Sequence, residues 1–234
     1  MTVEFSRGRK LAAEALGSFL LAATVIGSGV MAERLSAGND GVALLANTMA
    51  TMAALYVLIV LLRPISGAQF NPAVTLAMRL RRQIGMMDGL LYVVAQIAGM
   101  ILGAWAAHAM FDLPLAQLSH KNREGGALLF AEFMASFGLL TTIWLGLRFS
   151  PRAVPALVAC WIGAAYWFTS STSFANPAIT IARALSDTFA GIRPQDAPAF
   201  IAAQFAGALV ATAFCGWLIK EPGKTRLPAD PSPT

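Results

Sequence analysis

Six stretches of this chain, at about 11–32, 42–62, 88–110, 127–147, 154–172 and 199–219, are long and apolar enough to cross a bilayer as helices. Roughly 20 such residues span the hydrocarbon layer. Only 12% of the residues are charged, against 57% hydrophobic. A soluble domain needs about a quarter of its residues charged, so this composition excludes a soluble enzyme. The expectation is an all-α membrane protein with six transmembrane helices. The first stretch follows Arg7, Arg9 and Lys10 as a signal peptide would, but it is too long for one and further spans follow, so it reads as a retained helix.

Six spans put both termini on one side. That side would hold the N-terminus, the 63–87 and 148–153 connections and the C-terminus, which together carry twelve of the seventeen basic residues. By the positive-inside bias it is cytoplasmic, and the expected location is a bacterial-type inner (plasma) membrane. The net charge of +5 is then a topology signal and points to no nucleic-acid partner. Residues 220–234, rich in proline and charge, read as a disordered tail. Cys160 and Cys215 lie in apolar runs and suggest no disulfide framework.

Two connections are unlike loops. Each contains Asn-Pro-Ala, at Asn71, Pro72 and Ala73 and at Asn176, Pro177 and Ala178, followed by an apolar segment too short to span. Asparagine caps a helix start and proline suits its first turn, so each reads as a half-helix. Broken backbone at membrane depth must line a cavity or be enclosed by protein. The chain also repeats itself: Ala13-Glu14 and Ala131-Glu132 are each followed at equal spacing by Ser-Phe and Thr, and Gln96 with Gly99 echoes Gln204 with Gly207. The reading is one channel domain over 1–234, with a first inverted repeat at 11–110 and a second at 127–219. Each contributes three spans and a half-helix, and the two half-helices meet near the midplane.

Asn71 and Asn176 are then candidates to donate hydrogen bonds to a passing solute, while the converging helix N-termini repel cations. Glu14 and Glu132 are expected to face the interior as structural supports that accept N–H groups of the re-entrant segments. His108 and His120 are isolated and make no metal site. No nucleophile, base and oxyanion arrangement and no phosphate loop emerges, so neither catalysis nor a cofactor is expected. An alternating-access secondary transporter and a membrane scaffold with a closed pore remain the competing readings.

The run from Ser66 to Thr75, with Phe174-Ala175-Asn176-Pro177-Ala178, Glu14, Glu132, Ala95-Gln96-Ile97-Ala98-Gly99 and Gln204-Phe205-Ala206-Gly207, resembles the aquaporin, or major intrinsic protein, family over nearly the whole chain. The resemblance implies the aquaporin-like hourglass fold, a homotetramer surrounded by membrane lipid with one pore per subunit, and facilitated diffusion of small neutral solutes. It also exposes a departure. The family usually places an arginine after the second Asn-Pro-Ala, and here the residue is Ile179. Counting from the motifs, the other selectivity-filter positions fall at Thr51, at Gly163 or Ala164, and at Ser173, all small, which implies a wider and less polar constriction. Arg183, one turn along, is expected to meet Asp187 or solvent, and the loop with His120, Arg123 and Glu124 is a second candidate to supply a polar group at the mouth. The filter resembles that of a bacterial branch associated with arsenic resistance, which implies arsenous acid or methylated arsenicals as solutes beside water, glycerol and urea.

Overall fold

The computed structural model describes residues 4–220. Among the described residues eight α-helices follow in chain order: α1 (Arg7–Leu35), α2 (Asp40–Ser66), α3 (Pro72–Leu80), α4 (Met86–Met110), α5 (Gly126–Phe149), α6 (Val154–Phe168), α7 (Pro177–Ala184) and α8 (Ala197–Leu218). Among the described residues there is no strand. Five of these helices, α1, α2, α4, α5 and α8, are long and apolar enough to cross a membrane. The disordered tail expected at 220–234 lies, apart from Lys220, outside the described residues.

The remaining span, fifth in chain order, is shorter than the apolar run at 154–172 suggests. α6 ends at Phe168, where the Thr169 hydroxyl bonds back to the Ala165 carbonyl and the polar run to Thr172 turns the chain. A 3-10 turn at Pro151–Ala153 precedes it. Together they reach roughly 28 Å, enough for the hydrocarbon layer.

α3 and α7 are the two half-helices, and their starts follow the expected chemistry. Asn71 Oδ1 accepts from the Ala73 N–H at 2.9 Å, and Asn176 Oδ1 from that of Ala178 at 3.0 Å. Pro72 and Pro177 occupy the first helical position, where no N–H is needed.

The inverted repeat is visible in the packing. α1 lies on α4 and α5 on α8, each pair in close backbone contact. A Cβ added at Gly99 or Gly103 would collide with the carbonyl of Ala15 or Phe19, and one at Gly207 with that of Phe133. Only glycine permits this approach. Replacing Gly103 with valine is expected to cost roughly 1–3 kcal/mol through overpacking, visible as a lower thermal midpoint of the purified protein. An unchanged midpoint would mean that α1 can shift outward without penalty.

Candidate functional site: a cavity between two half-helices

The segments that lead into α3 and α7 are held open by buried carboxylates. Glu14 on α1 accepts the N–H groups of Gln69 at 3.0 Å and Phe70 at 2.7 Å, together with the Ser66 hydroxyl and the Gln96 side-chain amide. Glu132 on α5 accepts those of Phe174 and Ala175, both at 2.9 Å, and the Gln204 amide at 2.6 Å. Both glutamates are fully buried. Their bonds occupy lone pairs that hydrocarbon would leave bare.

The backbone these carboxylates hold is left-handed at matching places. Gly67, Ala68 and Phe70 have φ of 93°, 51° and 48°, while Thr172, Ser173 and Ala175 have 62°, 50° and 47°. Five of the six carry a Cβ and are therefore strained. The sequence offers no signal for this beyond Gly67.

The two loops meet at their asparagines. Asn71 Nδ2 donates to the Ala175 carbonyl and Asn176 Nδ2 to that of Phe70, each at 2.8 Å. Every side chain thus caps its own half-helix with oxygen and ties the opposite loop with one N–H. The second N–H of each amide remains available, and both residues line the same internal cavity.

That cavity has a volume of about 120 Å³. Stripes at four-residue spacing form its walls: Thr51, Leu55, Ile59 and Arg63 on α2, then Val154, Val158, Ile162 and Tyr166 on α6. Leu21 and Val25 on α1 face it as Leu139 and Ile143 do on α5. The middle is thus apolar apart from the two amides. Arg63, whose guanidinium bonds the Pro151 carbonyl at 2.6 Å, marks the end nearer the 63–87 and 148–153 connections. Among the described residues no cluster of His, Cys, Asp and Glu is suited to a metal ion.

Toward the other end, the residues read as filter positions, Thr51, Ser173 and Ile179, are all buried and all line the cavity. Ala164 is not with them. It is exposed on the outer face of α6, and Gly163 packs against Met52. At 100° per residue, Ala164 lies about 200° around the helix from Ile162, which faces the cavity. α6 contributes Ile162 and Tyr166 instead, and the Tyr166 hydroxyl reaches Thr51 Oγ1 at 3.4 Å. The expectation of small residues at every filter position is corrected accordingly.

Arg183 is also corrected. It turns away from solvent and from Asp187, is 4% exposed, lines the cavity, and rests its guanidinium over the Phe174 ring, 3.2 Å from the centroid. Its Nε bonds the Ala190 carbonyl. Asp187 is occupied elsewhere, by the backbone N–H of His120 at 2.9 Å and its ring Nδ1 at 3.0 Å, and the first of these does most to hold its carboxyl below the ordinary range.

The mouth loop folds inward through one residue only. Arg123 is buried, bonds the carbonyls of Gly191 at 2.8 Å and Ser171 at 3.0 Å, and lies 4.9 Å from the same Phe174 ring. Burial pushes this guanidinium down to about 10, so it stays charged at neutral pH. His120 remains exposed, and exposed Glu124 pairs with Arg193 at 2.9 Å.

With this geometry described, the relatives are informative. The family model for Major intrinsic protein matches residues 1–173, about three quarters of the chain. The chain belongs to the major intrinsic protein family. Among curated relatives of this membrane-channel family, aquaglyceroporin AqpS of Rhizobium meliloti (strain 1021) is 52% identical over 217 residues, 93% of each protein. Aquaporin A of Dictyostelium discoideum is 31% identical over 166 residues, covering 64% of this chain and 59% of that one. The crystal structure of the aquaglyceroporin from Plasmodium falciparum superposes with a TM-score of 0.66 at 19% identity, over 89% of this chain and 95% of that one. The shared architecture is the aquaporin hourglass, and the chain is an integral membrane protein.

Proposed function

We propose that this major intrinsic protein is a passive channel for small uncharged solutes: water, glycerol, urea, and arsenous acid or methylated arsenicals. In this reading it works as a homotetramer in a bacterial inner membrane with both termini cytoplasmic. The observation that carries the reading is the single cavity that touches both Asn-Pro-Ala motifs and extends from Arg63 to Thr51 and Ile179.

The proposed passage follows from its lining. A solute leaves bulk water at Thr51 and Ser173, where hydroxyls replace part of its hydration. It crosses apolar walls, and near the midplane the free amide N–H groups of Asn71 and Asn176 take its oxygens. The N-termini of α3 and α7 add positive potential there, which makes a cation or hydrated proton costly while leaving a neutral hydroxyl unaffected. Ile179 offers no donor and leaves room for solutes wider than water, and kinship with an aquaglyceroporin supports the same conclusion.

Proteoliposomes test this directly. In stopped-flow light scattering, vesicles containing the protein should reswell in glycerol and urea gradients at least tenfold faster than empty ones. The rate should rise linearly with concentration and be indifferent to proton or sodium gradients. Saturation at low solute, or dependence on such a gradient, would favour a transporter, and no flux from an intact assembly would favour a closed scaffold.

A further inference from the structure

The outer end of the cavity carries a charge that the passage of neutral solutes does not use. Arg183 is almost wholly buried, yet its single hydrogen bond runs from Nε to the Ala190 carbonyl. Its two terminal nitrogens carry four N–H groups for which the described residues provide no acceptor. They open on the cavity that Arg183 lines, within reach of an external acceptor.

Two further observations indicate the partner's chemistry. Ser173, buried and lining the same cavity, has a hydroxyl with no hydrogen-bond partner. Among the described residues no aspartate or glutamate lines the cavity, whose charged lining residues are Arg183 at this end and Arg63 at the other. Arg123 adds a second buried cation beside Phe174. The neighbouring carboxylates are already committed, Glu132 to Phe174, Ala175 and Gln204, Asp187 to His120, and Asp196 to Arg123 and Arg193. Glu132 attracts Arg183 through space, but no carboxylate among the described residues is hydrogen-bonded to its guanidinium. The Phe174 ring covers the guanidinium from one side, with the guanidinium carbon 3.2 Å from the ring centroid.

We propose that the outer end of the cavity is a binding site for small oxyanions, in which Arg183 takes two oxygens of one centre and Ser173 a third contact. A guanidinium fork matches the two oxygens of a carboxylate in length and plane, which a halide cannot do. The family arginine missing at Ile179 is thereby replaced in charge but not in place. Set one turn farther out along α7 and resting against Phe174, it recruits and retains an oxyanion at the mouth of a channel otherwise suited to neutral solutes. The site rests on the channel reading only for its consequence, that a bound oxyanion slows the neutral solute behind it.

Acetate at pH 7.5, balanced across the membrane and compared with chloride at equal ionic strength, is the probe. In detergent, about 100 mM acetate should raise the thermal midpoint of the wild type by about 2 °C or more over chloride, and should not raise that of Arg183→Gln. In proteoliposomes acetate should slow glycerol entry, and the half-inhibiting concentration should rise at least tenfold in Arg183→Gln, each protein being normalised to its own rate in chloride. Equal midpoints in acetate and chloride for the wild type, or equal shifts in the wild type and Arg183→Gln, overturn the site. Should Arg183→Gln fail to assemble, Arg183→Lys keeps the charge without the fork, and its half-inhibiting concentration should rise at least threefold; an unchanged value overturns the two-oxygen contact. If glycerol does not enter wild-type vesicles at all, the channel reading fails, and the midpoint shift still decides whether the site exists.

Discussion

Glycerol and urea entry should fall at least tenfold in proteoliposomes of Ile179→Arg, with water permeability reduced far less. Ile179 is buried in the first turn of α7, lines the cavity and shares its face with Arg183, four residues on. An arginine there fills the space that the aliphatic side chain leaves and brings donors that must find acceptors before a solute can pass. A tenfold slowing corresponds to about 1.4 kcal/mol on the barrier, a modest demand for a long side chain set across a narrow passage. Two cations on one face of α7 also repel each other, so Ile179→Met, similar in bulk but uncharged, is the control and should stay within about threefold of wild type. Entry of glycerol unchanged in Ile179→Arg would mean that the constriction lies elsewhere, at Tyr166 and Thr51.

A larger loss is expected at Glu132. Replacement by leucine removes the acceptor of the Phe174 and Ala175 N–H groups and of the Gln204 amide, all in protein interior. Each orphaned donor costs about 1–3 kcal/mol, so the total reaches on the order of 3–5 kcal/mol or more. The left-handed backbone at Thr172, Ser173 and Ala175 depends on those same bonds, so α7 should lose its docking rather than merely loosen. Size-exclusion chromatography should show little monodisperse Glu132→Leu protein and no solute flux. Glu132→Gln, which keeps one acceptor oxygen, should fall between leucine and wild type. If Glu132→Leu is recovered with its thermal midpoint within a degree or two of wild type, the carboxylate does not support the loop.

Much of this was legible in the chain alone. Length and apolarity define six spans because lipid admits few alternatives for a polar backbone, and the two Asn-Pro-Ala segments announce half-helices because asparagine and proline have specific places at a helix start. The paired Glu14 and Glu132 announced buried carboxylates, since a charge in an apolar span must find donors. These are local or periodic constraints, and sequence carries them in full.

The constriction belonged to the other kind. α6 is apolar on the face it turns to the cavity and on the face it turns outward, so no contrast of polarity marks its phase, and Tyr166 rather than Ala164 reaches Thr51 only because α6 packs against α2 as it does. Arginine direction was equally hidden. Arg183 and Arg123 turn inward because the carbonyls of Ser171, Ala190 and Gly191 and the ring of Phe174 are brought within reach of them, for Arg123 by segments 48 and 68 residues away along the chain. The sequence determined which groups must be buried; the tertiary structure decided what each of them meets there, because a long flexible cation goes wherever distant segments happen to leave it an acceptor.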